Sequence, residues 1–571
     1  MISFITTTTS LTDTFPTCTI EEAVEYCASK DVLGVDTETE GMDFTCKKLV
    51  MFQIGDAERQ FVVDARHVSI FPFKEILESD TIVKIAHNAK FDYKFIKASG
   101  IVMENIHCTF LTEKVITCGL RPGYSLAALC KRYLEVELDK SVRNQFVNLG
   151  GRPFTDKQIQ YGADDVIYLC RIREMQLVKV AHHKLQTVVD LENEACLSFS
   201  DMEYEGMDVV RDEWLKLAVR GEEEANTVRQ KLDDMLLADS RLKEFKKLSI
   251  QGDLFLSEDQ LRKVAINWDS PKQVLEVFKK LDKDIPSVDS KDLLKYLNSY
   301  PIIRQYISYK QQMKLVSSYG RGFFKHASSD GRIRTDFTQI VDTGRVSSSN
   351  PNMQNIPGTN EYRNCFRAPE GWVFVSSDYS SQELNVIAFG SKDPVWLAAL
   401  EKGQDLHSVC AALVYGKAWD DVAEPDCAFM ERKAKCKCAA HGKMRKSIKS
   451  VNFGLAYGMG ASKLADQEQM SLAEATQTID TYFETFPSIG GFLQKLAAYG
   501  KEYGYIKTFP PYERKRWFPD WFKGIKQDKS AREILGSVER RSKNTPIQGQ
   551  GPWLNSVNCW KPEMVISSQD L

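Results

Sequence analysis

Two acidic side chains close a short apolar run near the start of the chain. In VDTETEG, Asp36 closes the strand-like VLGVD and Glu38 follows two residues on. Alternate residues of a strand share a face, so the two carboxylates point the same way. HNAKFDYKF supplies Asp92, and YGADD places Tyr161 and Asp165 four residues apart, on one face of a helix. Acids that converge on one cleft repel one another unless divalent cations neutralise them. Two such ions can activate a water and stabilise the leaving oxygen of a phosphodiester, and magnesium held by a few carboxylates suits that chemistry. Tyr161 can orient the attacking water. Taken singly, VDTETEG reads more readily as solvated acids at a strand end. The ordered set of three segments turns the reading toward a metal site.

A second group lies far downstream. VFVSSDYSSQELNVIAFG puts Asp378 after the apolar Val373, Phe374 and Val375, which predicts a strand ending at a rigidly held carboxylate. Glu383 follows where the pattern becomes helical. RKSIKSVNFGLAYG predicts a helix with Arg445, Lys449, Phe453 and Tyr457 spaced by four, a stripe cationic in its first half and aromatic in its second. The cationic half can grip a triphosphate, with Lys449 a proton donor to departing pyrophosphate, and the aromatic half can stack on a base or sugar. Lys310 and Lys314 share a helix face and can hold duplex phosphates, although a solvated basic face explains that pair equally well.

The elements that position these residues are readable in outline. VLGVD, KKLVMFQIG and RQFVVDA predict three strands, TIVKIAH a fourth, and AKFDYKFIKASG a helix. The segment from Thr155, a predicted N-cap, to residue 184 has helical periodicity throughout. Strands followed by strand–helix alternation mean an α/β domain ending near residue 185. Residues 186–330 are mostly helical, α/β character resumes near 332, and 400–510 is helical again. A chain of 571 residues suggests several domains, and 43% hydrophobic with 27% charged residues permits sizeable cores. The net charge of -3 argues against a protein basic all over but leaves room for a local basic cleft. No lysine or arginine precedes Lys30, which fits neither a secretory signal nor a transit peptide, and no apolar run is long enough to span a membrane.

The 14 scattered cysteines suggest reduced thiols. Cys436, Cys438 and His441, with Cys427 as a fourth candidate, invite a zinc reading. Their spacing is not that of a usual zinc finger and the adjacent lysines oppose a cation, so non-ligating thiols are the expectation.

DTETEG, HNAKFD and YGADD together resemble the three motifs of the DEDDy 3'-to-5' exonucleases, which have an RNase H-like fold. The resemblance implies that Asp36, Glu38, Asp92 and Asp165 bind the metals and that Tyr161 positions water. TGRVSSSNPNMQNIP, the Asp378 segment, MRKSIKSVNFGLAYGMG and VERRSKNTPIQGQG, in that order, resemble the family-A DNA polymerases, the group that includes bacterial DNA polymerase I and many phage replicases. The architecture this implies is multidomain, α/β and α: an exonuclease domain (1–185) followed by a right-hand polymerase. The latter comprises a thumb (186–331), a first part of the palm (332–400), fingers (401–520), a further palm piece (521–550) and a tail without family resemblance (551–571).

The same resemblance assigns roles. Asp378 is the counterpart of the first palm carboxylate, with the backbone carbonyl of Tyr379 beside it on the metals. Glu383 corresponds to the residue that excludes a ribose 2'-OH. Arg445, Lys449 and His407 hold phosphates, Phe453 contacts the sugar and Tyr457 the nascent base pair. Arg345, Gln354, Arg540, Asn544 and Gln548 touch primer and template, largely from the minor groove. Two Mg2+ per active site, with Mn2+ the alternative ion, primer-template DNA and deoxynucleoside triphosphates complete the implied set, in the cytoplasm of a bacterial or phage-infected cell and without a membrane partner.

The pattern breaks near its end. The family's HDE motif, which carries a second palm carboxylate, does not occur in the sequence. An interrupted gene, by intron, intein, frameshift or split, is the expectation. Three readings stay open: a polymerase whose remaining palm comes from a second chain or a spliced product, an exonuclease that only binds primer-template at its polymerase half, and a non-catalytic DNA-binding product.

Overall fold

Runs of apolar residues in VLGVDTET, LVMFQIG and QFVVD build the centre of a six-stranded sheet, seen in a computed structural model that describes residues 1–7, 14–147, 149–248, 262–375, 379, 381–424, 427, 438–456, 458–468, 470–521 and 529–559. The strands are β1 (Ile2–Ile5), β2 (Val32–Thr39), β3 (Leu49–Gly55), β4 (Gln60–Asp64), β5 (Val83–Ala86) and β6 (Ile106–Cys108). Their order is β1-β4-β3-β2-β5-β6, with β2 antiparallel to β3 and parallel to β5. All four strands expected in this region form, and β1 and β6 extend the sheet at its two edges. Both faces are covered, which explains strands that are apolar throughout rather than alternating. Phe52, Ile54, Phe61 and Val63 pack on one side, and Met51, Val62 and Ile159 on the other.

Two glycines let a helix lie close on this sheet. A Cβ at Gly34 of β2 would stand 2.9 Å from a Val166 methyl, and one at Gly162 would stand 2.7 Å from Gln53 Nε2 and 2.8 Å from Met51 Sδ. The helix they admit, Asp156–Ile167, starts with a capping box in which Thr155 and Gln158 satisfy each other's backbone N–H. The single helix expected from 155 to 184 is broken at Tyr168, after which Leu169–His183 takes a new direction. That turn places Leu169 and Ile172 against Ile85 and Leu129.

The helix Gln186–Glu205, expected to open the thumb, belongs by packing to the sheet. Its Val188, Val189 and Cys196 lie in the same core as β2 and β3. In the region expected to be the thumb, the long helices Arg211–Ala238 and Pro301–Tyr319 pack on a core of Trp268, Phe278, Tyr306 and their neighbours. Trp214 roots it, stacked on Phe323 at 4.2 Å with its indole N–H donating to Tyr319 O (3.0 Å). The helices from Gln382–Ser391 to Pro487–Tyr503 close around Trp396, Tyr482, Phe486, Ile448 and Val451.

One local expectation does not hold. Residues 373–375 are not a strand, and Trp372, Val373, Phe374 and Val375 are exposed. A strand exists only in a ladder, and no described segment pairs with this one. The segment VERRSKNTPIQGQG lies in one continuous helix, Lys529–Cys559, which runs through Pro546.

The two halves of the molecule are locked by a buried contact. Arg514, next to the short strand Lys515–Trp517, makes an ion pair with Glu192, and each is 4% exposed. The other Glu192 oxygen accepts from Gln339 Nε2 at 3.0 Å. Trp517 adds two hydrogen bonds, from its backbone N–H to Cys118 O (2.8 Å) and from its indole to Ile116 O (3.1 Å). Glu192→Ala leaves a buried guanidinium uncompensated and is expected to destabilise the protein by about 3 kcal/mol, read in urea unfolding. The apolar pair Glu192→Met with Arg514→Leu should recover most of that loss. Equal destabilisation by the single and double variants would contradict this account of the junction.

Candidate active sites

The C-terminal end of β2 carries Asp36 and Glu38 on one face, as their spacing requires. The β2–β3 register shifts between Glu38 and Thr39, a bulge that turns the strand where the second acid stands. Asp92 enters from the first turn of the helix Lys90–Ala98, reached from β5 through Asn88 at φ 68. Tyr161 and Asp165 come from the helix that Gly34 and Gly162 admit. Carboxylate oxygens of Asp36, Glu38 and Asp165 lie within 4.8 Å of one another. Asp92 and Asp165 are buried, while Asp36 and Glu38 are partly exposed. Thr37, pointing to the other face of β2, donates to Asp92 Oδ1 at 2.6 Å and so fixes the fourth acid. All five residues singled out in this part of the sequence thus meet at one strand end.

Burial and crowding hold these acids toward their protonated forms. Desolvation, then Asp92, Asp165 and Glu38, push Asp36 well above the carboxylate range. Glu38 rises to about 8 by desolvation and Asp165, and Asp92 to about 7 by desolvation, against the opposing Thr37 hydrogen bond. Tyr161 is likewise raised by burial and the adjacent acids, so it stays a neutral hydroxyl. One cation of the chain is already present. Lys140 pairs with Asp165, lies 3.4 Å from Tyr161 Oη and sits 4.7 Å from the Tyr161 ring centre. Neither Lys140 nor Thr37 was legible as a site residue: Lys140 lies on a loop without periodicity, and Thr37 reads as a spacer. Oxygen donors this close, otherwise forced to bind protons, fit divalent cations.

The second group is brought together in parts. Arg345 pairs with Glu383, so the residue expected at the template and the one expected at the sugar touch each other. Tyr379 is exposed, and Asp378 and Tyr457 lie outside the described residues. In the helix Ala439–Ala456, Arg445 forms two hydrogen bonds to Asp405, at 2.7 and 2.8 Å, while Asp405 caps the helix Leu406–Tyr415 through Ser408. These contacts hold Asp405 at about 2, against its burial. Asp405 was not singled out in the sequence, yet its position three residues before Ser408 marks a helix start. Lys449 is exposed with Nζ 6.0 Å from the Phe453 ring, and the His407 ring lies 5.5 Å from that of Phe453. Burial lowers His407 to about 4, so the ring is neutral at pH 7, and Asn452 Nδ2 donates to its Nδ1 at 2.9 Å.

Arg540, Asn544 and Gln548 occupy successive turns of one face of the helix Lys529–Cys559. Arg540 borders Gly458, where a Cβ would meet its side chain at 2.7 Å. Gln354 is exposed on the turn Met353–Asn355. Lys310 is tied to the thumb by donating to Val288 O at 3.2 Å, whereas Lys314 is exposed. A mostly apolar cavity of about 500 Å³, lined by Tyr379, Gln382, Val386, Phe389, Phe509 and Gln550 among others, opens beside the helix that carries Glu383. No described helix is long and apolar enough to cross a membrane.

The DNA polymerase family A profile matches residues 242–554 and a 3'-5' exonuclease profile matches residues 15–180. DNA polymerase I of Treponema pallidum is 27% identical over 521 residues, covering 86% of this chain and 47% of that protein. DNA polymerase I of Aquifex aeolicus is 27% identical over 530 residues, covering 86% of this chain and 80% of its own length. The thermostable DNA polymerase I of Thermus aquaticus is 32% identical over 301 residues, 51% of this chain and 32% of that protein. The chain therefore spans about half or less of most of these relatives. The POL domain of Pol1 from M. smegmatis, solved in complex with DNA primer-template and dNTP, superposes with a TM-score of 0.74 at 21% identity, over 95% of this chain and 86% of that one, so the two share a fold.

The raised acids set a pH dependence. Without a divalent cation, the folded protein keeps protons on Glu38 that the unfolded chain releases near pH 4, so this group's contribution to stability falls as pH rises from about 4 to about 8 and is level above that. Each pH unit in that window costs up to about 1.4 kcal/mol. Glu38→Gln, which imitates the protonated form, should match wild type near pH 4 and become progressively more stable than wild type up to pH 8 in chelator. Thermal unfolding curves that stay parallel across this range would contradict the assignment.

Proposed function

Because the chain belongs to DNA polymerase family A, we propose that it degrades DNA from the 3' end at the Asp36 cluster and binds primer-template and deoxynucleotide in its second half. The observation that carries the exonuclease reading is the meeting of Asp36, Glu38 and Asp165 oxygens within 4.8 Å, with Asp92 and Tyr161 beside them. In this reading Asp36, Glu38, Asp92 and Asp165 hold two magnesium ions, with manganese the alternative. Bound there, such ions supply water activation and neutralise charge on the leaving oxygen. The protein's own part is to fix the acids from three elements, to keep Tyr161 a neutral hydroxyl that orients the water, and to place Lys140 where it can follow the negative charge of substrate phosphate.

The polymerase half is read from the same kinship. Arg445 and Lys449 hold triphosphate, with Arg445 passing from Asp405 to the phosphates or bridging both. Neutral His407 assists as a donor. Phe453 and Tyr457 meet sugar and base, and Glu383, positioned by Arg345, crowds the 2' position. Gln354, Arg540, Asn544 and Gln548 read pair geometry, and Lys310 and Lys314 lie along the thumb. Asp378 and the Tyr379 carbonyl hold metal together with a second carboxylate that residues 1–571 do not provide in an HDE motif. Among the described residues no segment pairs with the exposed run 372–375, and a mostly apolar cavity opens beside Phe389. A cytoplasmic setting in a bacterial or phage-infected cell accords with the bacterial relatives.

With magnesium, the purified chain is expected to shorten single-stranded primers from the 3' end. The variant Asp36→Ala/Glu38→Ala should lose this while retaining duplex binding. Primer extension by the chain alone should be negligible. It should appear when a polypeptide carrying the palm hairpin is added, and vanish again with Asp378→Ala. Digestion by the double variant at the wild-type rate would overturn the exonuclease site, and robust extension by the isolated chain would overturn the need for a second carboxylate source.

A further inference from the structure

The expectation of unligated thiols meets a different arrangement in the fingers. Cys427, Cys438 and His441 bring Sγ, Sγ and an imidazole nitrogen within 4.8 Å of one another. Cys438 and His441 are buried and Cys427 is partly exposed. The imidazole is oriented by its surroundings. His441 Nε2 lies 2.8 Å from the carbonyl oxygen of Trp419, and the ring stacks on the Trp419 indole at 3.7 Å and 6°. A carbonyl only accepts, so Nε2 carries the proton and Nδ1 presents its lone pair. Nδ1 faces Cys427 Sγ at 3.3 Å. A backbone carbonyl that fixes the tautomer while the other nitrogen faces thiols is the usual support of a metal-bound histidine.

The geometry points to a structural zinc site formed by Cys427, Cys438 and His441 in the fingers. Zinc–sulfur bonds of about 2.3 Å and zinc–nitrogen bonds of about 2.0 Å set a tetrahedral edge of roughly 3.5 Å, close to the observed sulfur–nitrogen separation. Two thiolates and a neutral imidazole bring a divalent zinc to zero net charge. The spacing of ten residues between the cysteines and two between Cys438 and His441 is unlike common zinc modules, which is why the sequence alone favoured non-ligating thiols. Cys436, the other candidate, lies outside the described residues; a tetrahedral zinc takes one donor beyond these three.

The consequence concerns the nucleotide-facing helix. Cys438 immediately precedes the helix Ala439–Ala456, and His441 lies in its first turn. Trp419 belongs to the short helix Lys417–Asp420, which follows the helix bearing His407. An ion at this point ties the start of the helix carrying Arg445 and Lys449 to the segment behind His407.

The test uses the whole chain, purified with reductant and without chelator. Elemental analysis should find one zinc per chain. Cobalt(II) substituted for it should give thiolate charge-transfer and tetrahedral ligand-field absorption, which an oxygen-donor site such as the Asp36 cluster does not produce. Cys438→Ser should lose both signals. His441→Phe, which keeps a ring against Trp419, should weaken binding of zinc and cobalt at least tenfold, while 3'-end digestion in the other domain is unchanged. Zinc should also protect Cys427 and Cys438 of the wild-type protein from alkylation, a measurement that needs no variant. A wild-type chain with neither zinc nor a cobalt–thiolate spectrum, metal retained by both variants, or a Cys427–Cys438 disulfide in the reduced preparation would overturn the proposal.

Discussion

Four carboxylates at the end of one strand are the constraint on which the first half of this molecule depends. Left ionised together in a partly buried cleft they would repel one another, and the chain has one nearby ammonium, Lys140, to set against them. The fold accepts that conflict because Gly34 and Gly162 bring a helix closer to the sheet than any side chain would permit. Without that approach Asp165 and Tyr161 would stand away from Asp36 and Glu38. Proximity and strain therefore have one origin, and the raised Asp36, Glu38 and Asp92 are its electrostatic signature. Divalent ions held there would relieve this repulsion and supply the proposed chemistry together.

Much of this was legible in the sequence because local rules agree there. Period-two alternation placed Asp36 and Glu38 on one face, and a four-residue interval placed Tyr161 with Asp165, as the structure has them. Supporting residues were not legible, because they act across long sequence separations. Thr37 reaches Asp92, 55 residues away, and Lys140 reaches Asp165, 25 residues away. The apolar run 373–375 reads as a strand since its composition suits one, but a strand is a property of a pair and none of the described segments is its partner. Asp405 and Arg445 illustrate the same limit: Arg445 is read from the sequence only as an expected phosphate ligand and Asp405 is not read at all, and only the fold shows that they hold each other.

The contacts between domains are polar and buried rather than a loose tether. Glu192 with Arg514 and Gln339, Trp517 with Ile116 and Cys118, and Lys90 with Phe337 O join the sheet domain to segments more than 130 residues away. Such pairs are costly to break one partner at a time, which favours a fixed relation between the acid cluster proposed to act on 3' ends and the half proposed to hold primer-template. The zinc proposed for Cys427, Cys438 and His441 applies the same logic on a smaller scale, fixing the start of a helix whose basic residues are proposed to meet a triphosphate.

The account rests most directly on cations at the β2 strand end, and anomalous diffraction from crystals grown with manganese and a single-stranded oligonucleotide tests it. The account predicts two manganese peaks among Asp36, Glu38, Asp92 and Asp165, with the terminal phosphodiester against them and Tyr161 facing the phosphorus. Oligonucleotide bound elsewhere, or this cluster without metal at saturating manganese, would contradict it.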